Sequence, residues 1–564
     1  MRFQQFEYAR PNVEQIKSEM RALIAQMKKA SSIEEQIICI EKINKVRDSF
    51  SSQMTLSEIR ASINTNDEFY QAERDYFDEV SPQLEEVITE YYEALLSSPF
   101  RSKLEEQWGA QLFELADNQL KGFKPEIIEL MQKENKLTSE YAKLIASAQI
   151  EFDGKTLTLA QLAPYSESTD RKVRKEAKEA SANFFDANKE ALDRIYDELV
   201  KVRHEMAVTL GYKNYVELGY INMNRIDYNA EMVAKFRQQV VDYIVPVANK
   251  LYERQAKRIG VEQLKHYDEA LNFLTGNAMP QGNASWIIEN GRKMYEELSP
   301  ETAEFFNMML ERELMDLEAK TGKEGGGYCT YLEDFDAPFI FSNFNGTSGD
   351  IDVLTHEAGH AFQVYSSRHI GVPEYLWPTY ESCEIHSMSM EFFTWPWMEL
   401  FFKEQTDKYK FSHLSGALLF LPYGVAVDEF QHIVYENPHM TPEERNAAWK
   451  QLEAKYLPHR DYEGQSYLES GAAWQRQQHI YNSPFYYIDY TLAQICAFQF
   501  WKRSREDFEA AWKDYLHLCQ LGGSLPFNAL VEEANLISPF KEGCVQSVID
   551  TIEDYLNSID DASL

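Results

Sequence analysis

The sequence predicts a large, mainly α-helical protein with one small antiparallel sheet standing beside a buried helix. Three observations predict it. Apolar residues recur at three- and four-residue spacing through most of the 564 positions, the period of helices with a buried stripe. Alternating apolar patterns are confined to two short stretches. No internal repeat is evident, and 26% charged with 44% hydrophobic residues marks a folded globular chain with several domains' worth of core.

Taken in order, residues 12–60 and 67–145 carry helical periodicity, as at Leu120, Ile127, Leu130 and Met131. Ile150 to Thr158 alternates around Asp153-Gly154 and predicts a β-hairpin. Helices resume from about 168 to about 320, broken near Gly276 to Gly282. Gly325-Gly326-Gly327 then introduces Tyr328 to Asn345, the candidate sheet. The triplet is no phosphate-binding loop, because no Lys-Ser/Thr follows it. The strand Phe339–Phe344 is read either as a substrate-binding edge or as a buried structural strand.

Asp352 to Tyr365 contains no proline and is apolar on more than one side, as a core helix is, with a turn and N-cap at Gly349-Asp350. Gly359 costs helix propensity, so its use predicts the close approach of another backbone. On this helix stands His356-Glu357-Ala358-Gly359-His360. Positions i and i+4 share a face, so both imidazoles reach one Zn²⁺, and Glu357 stands beside them as a base for a water. A third protein ligand is needed, and Glu374, Glu381, Glu384 and Glu391 are the candidates. Tyr380 to Phe393 reads as a helix with Glu384, Ser387 or Met388, and Glu391 on one face, which suits a ligand plus a partner for a histidine. His386 and Cys383 point elsewhere on that helix; His386 reads as a packed or hydrogen-bonded histidine.

The net charge of −35 argues against nucleic acid or an anionic membrane as partner. The longest apolar stretch, Gly416 to Val427, is too short to span a bilayer. Without an apolar N-terminal segment or any CxxC pair, the six cysteines read as reduced thiols of a cytoplasmic protein.

HEAGHAFQ at 356–363, EIHSMSMEFF at 384–393 and the late His479 with Tyr486-Tyr487 and Tyr490 resemble the thimet oligopeptidase and oligoendopeptidase F family of zinc metallopeptidases. The likeness extends to Ile195–Arg203, Leu210–Tyr215 and Pro338–Phe344, covering about residues 130 to 545, and is nearest the bacterial oligoendopeptidase F and Pz-peptidase branch. It implies a zincin-type fold with a deep channel, one Zn²⁺ per chain on His356, His360 and Glu384, and Glu357 as general base. Glu391 would support a zinc-bound histidine, and His479 and Tyr490 would face the reacting carbonyl, while Tyr486 and Tyr487 read equally as a further catalytic donor or as packed aromatics. Residues 1–200 would form a helical wall or lid and 201–564 the catalytic region. Two departures stand out: Gln363 replaces a histidine many relatives have, and no Gly-Gly-Tyr follows His479. The implied activity is hydrolysis of short unfolded oligopeptides. The alternatives are a zinc carboxypeptidase of related helical fold and a catalytically idle helical peptide-binding protein. The oligomeric state is not assigned by sequence.

Overall fold

The computed structural model describes residues 1–564. Three long helices open the chain, Val13–Lys29, Ile33–Ile63 and Glu68–Leu96. Each begins where a polar side chain takes an otherwise unpaired backbone N–H: Asn12 accepts from Gln15, Ser32 from Glu35, and Asp67 from Phe69 and Tyr70. They share an apolar core of their own, reaching from Val13 to Ala116 and closed from outside by Val372 and Tyr375. Most of the other buried apolar residues, from Phe3 and Phe123 to Leu556, belong to one larger core.

Asp153 and Gly154 both have positive φ, 51° and 70°, the backbone of a two-residue I′ turn. The strands β1 (Ile150–Phe152) and β2 (Lys155–Leu157) pair across it antiparallel, as the alternation predicts.

The second sheet corrects two expectations. Its strands are β3 (Met315–Glu318), β4 (Tyr328–Leu332) and β5 (Ala337–Phe344), in the order β3-β5-β4. β4 is antiparallel to β5, but β3 runs parallel to it, so the sheet is mixed. The helical run expected to reach 320 stops at Glu311, and Glu313 at φ 55° turns the chain into β3. β5 is therefore central, with backbone partners on both sides and every side chain buried except the half-buried Asn343. It is the structural strand of the two readings, and β3 and β4 are the edge strands.

The break expected near 276–282 runs from the end of one helix at Arg258 to the next at Ala284. No helix is long and apolar enough to cross a membrane.

Candidate active site

β5 leads directly into the helix Gly349–Ser367. The carboxylate of Asp350 accepts the backbone N–H groups of Asn345 and Gly346 at 2.9 and 2.8 Å, fixing that turn. The cap residue itself is Ser348, which makes no side-chain cap bond, so the predicted Gly349-Asp350 cap shifts by one residue. Ile351, Leu354, Ala358, Ala361 and Phe362 are fully buried, as a core helix requires.

The helix Tyr380–Phe393 packs across it. Gly359 is the contact point: a Cβ there would lie 2.7 Å from both the His386 carbonyl oxygen and the Ser387 Cα. That approach brings His356, His360 and Glu384 together, with one ligand atom from each inside 4.8 Å of the others. Glu384 Oε2 lies 3.1 Å from His356 Nε2 and 3.3 Å from His360 Nε2. Burial works to raise the Glu384 pKa, yet the two facing imidazoles hold it well below the carboxylate range. Ser387 donates to the same Oε2 at 2.8 Å, and the Tyr486 hydroxyl donates to Oε1 at 2.5 Å.

The other three candidate ligands lie outside this cluster. Glu374 accepts from Arg47 at 2.6 Å and Tyr92 at 2.7 Å, both from the N-terminal helices. Glu381 is buried one turn before Glu384 with neither oxygen hydrogen-bonded, and burial pushes its pKa up to about 7. Glu391 receives His356 Nδ1 at 2.7 Å on one oxygen and His413 Nε2 at 2.7 Å on the other. Gln363 turns away to Ser367 and the Leu376 carbonyl. Cys383 faces the Pro378 carbonyl, and burial pushes His386 down to about 3, so neither belongs to the cluster. All six cysteines are free thiols.

His413 is absent from the sequence reading. It lies on the helix Thr406–Glu436 among apolar residues, with no motif around it. The Trp395 indole, a donor only, bonds its Nδ1 at 3.1 Å. Its proton therefore sits on Nε2, directed at Glu391. Tyr409 likewise donates to Asp352 at 2.7 Å beneath this pair.

Glu357 is 6% exposed and its Oε2 has no hydrogen-bond partner. Burial raises its pKa above the ordinary glutamate value, against the pull of His356 and His360. Across the cavity, His479 Nε2 and the Tyr490 hydroxyl lie 3.0 Å apart. They approach from two helices, Gln478–Asn482 and Tyr487–Glu506, because Ser483–Tyr486 interrupts the run. Gln477 takes the Tyr423 hydroxyl on its oxygen and turns its amide N–H onto His479 Nδ1 at 2.9 Å. Burial holds His479 down to about 4, so it is neutral with the proton on Nε2. It then donates to the Tyr490 oxygen, leaving the Tyr490 O–H free to donate outward.

These groups line a cavity of about 540 Å³ that also touches the β4 edge at Gly327–Thr330. A second, of about 440 Å³, shares His356, His479 and Tyr490 with it and continues past Glu391 and His413. The two cavities adjoin at the His356–Tyr490 constellation, the waist between them.

Residues 3–123 match the peptidase M3 N-terminal domain, and residues 164–548 match peptidase family M3. A solved structure of Pz peptidase A with an inhibitor is 64% identical over the whole of both chains, with a TM-score of 0.99. A chain described as an oligoendopeptidase F from Bacillus anthracis str. Ames is 58% identical, covering 100% of this chain and 99% of that one, with a TM-score of 0.95. An oligoendopeptidase F homolog of Borreliella burgdorferi (strain ATCC 35210 / DSM 4680 / CIP 102532 / B31) is 26% identical over 421 residues, 70% of this chain and 69% of the relative. With more than half its length matched by the family, the chain belongs to peptidase family M3 and is a metallo-oligopeptidase.

Proposed function

We propose that this chain is a zinc-dependent endopeptidase of short unfolded oligopeptides, with one Zn²⁺ on His356, His360 and Glu384 and Glu357 as general base. The observation that carries the reading is the pairing of acceptors at the waist. His356 must keep a proton on Nδ1 to bond Glu391 at 2.7 Å, so in its neutral form Nε2 presents a lone pair to Glu384 Oε2 at 3.1 Å. A cation between two acceptors so placed satisfies both, as does a second proton on His356, whose pKa Glu384 and Glu391 raise well above the ordinary imidazole value against the effect of burial. Two imidazoles and a carboxylate are a zinc donor set, and Glu357 beside them is spare.

When bound, zinc polarises the scissile carbonyl and lowers the pKa of a water. Everything else falls to the chain. Glu357 takes the water's proton on its unpartnered Oε2 and hands it to the leaving amine; its raised pKa suits both transfers. Tyr490, with its O–H turned outward by His479, donates to the carbonyl oxygen as negative charge develops there. Tyr486 and Ser387 fix the orientation of Glu384, and Glu391 fixes that of His356. The β4 edge pairs with extended substrate backbone, which recognises peptides with little regard to sequence. Residues 1–200 act as a wall of the larger cavity: Tyr328 at the β4 edge bonds Ser62, and Glu374 bonds Arg47 and Tyr92.

Peptides blocked at both ends test the reading. Internal cleavage, lost together with metal in Glu384→Ala, supports it. Products released only from a free C-terminus would point to a carboxypeptidase, and bound peptide with no product to an idle binder.

A further inference from the structure

Phe485 has a φ of +65°, a left-handed backbone that bulky residues rarely adopt. It lies within the interruption between His479 and Tyr490, and all three of its parts are gripped. Its N–H donates to Gln431 Oε1 at 2.8 Å. Its carbonyl accepts from Arg225 Nη2 at 2.6 Å. Its ring, fully buried, fills a slot left by Gly219, whose Cβ, were there one, would lie 2.5 Å from the ring. The rings of Tyr220, Tyr435 and His432 close the slot at 5.5, 5.4 and 4.9 Å, so the phenyl group has nowhere to retreat. The same Arg225 nitrogen bonds Asp489 Oδ1 at 2.7 Å, one residue before Tyr490. Arg225 is buried, with the Tyr220 ring 4.6 Å and the Tyr228 ring 5.6 Å from its guanidinium carbon.

We propose that Arg225 and Gly219 are positioning residues for hydrolysis: together they clamp Phe485 and Asp489, and so set the Tyr490 hydroxyl on the reacting carbonyl. The inference rests on the role of Tyr490 proposed above. It differs from ordinary packing in its geometry, since one side chain bridges the strained turn and the first turn of the helix carrying Tyr490. Neither residue touches the metal ligands.

Arg225→Gln leaves Asp489 unpaired in the core and endangers the fold, so Gly219→Ala carries the test and Arg225→Lys supports it. Both are measured for kcat, KM and bound zinc, alone and combined with Tyr490→Phe. Gly219→Ala is expected to lower kcat by about tenfold or more, since misplacing a reacting group by about 1 Å costs up to 10²-fold, with zinc content and KM nearly unchanged. In the Tyr490→Phe background the same substitution should cost about threefold or less, because the hydroxyl it misplaces is already gone. Equal losses in both backgrounds, or a normal kcat in Gly219→Ala, would overturn the clamp. A Tyr490→Phe enzyme with undiminished kcat would instead overturn the reading beneath it.

Discussion

Replacing Gly359 by Ala should separate the two helices that build the proposed metal site. The new Cβ would stand 2.7 Å from the His386 carbonyl oxygen and from the Ser387 Cα, where ordinary contact begins at 3.4 Å. Both neighbours are backbone of a buried helix, so no side chain can swing aside. The helices must therefore part or slide by about 0.7 Å at this point. Overpacking of this kind costs about 1–3 kcal/mol of stability. The cost to the site is sharper, because metal–ligand distances tolerate only about 0.2 Å. His356 and His360 ride on one helix and Glu384 on the other, so the displacement falls on the ligand set itself. Zinc affinity is expected to drop by about 10–100-fold, the loss typical when a metal site's supporting groups are disturbed. Competition with a calibrated chelator measures the affinity, and thermal unfolding of the metal-free protein measures the packing cost separately. If Gly359→Ala bound zinc as tightly as the parent and unfolded at the same temperature, the close approach would not be what assembles the site.

Glu357→Gln should keep its zinc and lose about 10²–10⁴-fold in kcat, because an amide accepts no proton from water; metal analysis alongside turnover checks both halves. Tyr490→Phe should keep its zinc and lose about 10²–10³-fold in kcat, the usual cost of one oxyanion donor, as steady-state kinetics would reveal. His432, bonded to the Tyr220 hydroxyl and pushed down to about 4 by burial, is neutral when folded and gains a proton when unfolded near 6.5. Folding stability should therefore fall as pH drops from about 6.5 towards 4, and melting curves of His432→Gln should show a shallower fall over that window.

The zinc motif and the meaning of Gly359 were legible because both are local: one depends on i,i+4 spacing, the other on a propensity cost that only close packing explains. The choice among four glutamates was not readable from the residues alone. Glu374 is removed from contention by Arg47, 327 positions earlier, and Glu391 is shown to serve His356 only by its bond geometry. His413 was invisible for the same reason, being a lone histidine in an apolar helix whose partners arrive from Glu391 and Trp395. The hairpin was plain from Asp153-Gly154, yet β3 escaped notice because Met315-Asp316-Leu317-Glu318 is too short to show a period and follows a helix directly. Missing β3 made β5 look like a possible edge. Tyr486 reads from sequence equally as packing or as a donor, and its hydroxyl bonds Glu384.

One zinc ion on His356, His360 and Glu384 is proposed to make this chain an endopeptidase. The most direct measurement is titration of the metal-stripped protein with zinc while following cleavage of a peptide blocked at both ends. The account predicts activity rising from zero and breaking at one zinc per chain, with products from an internal bond. Cleavage that needs no metal, or a blocked peptide left intact by the fully loaded protein, would contradict it.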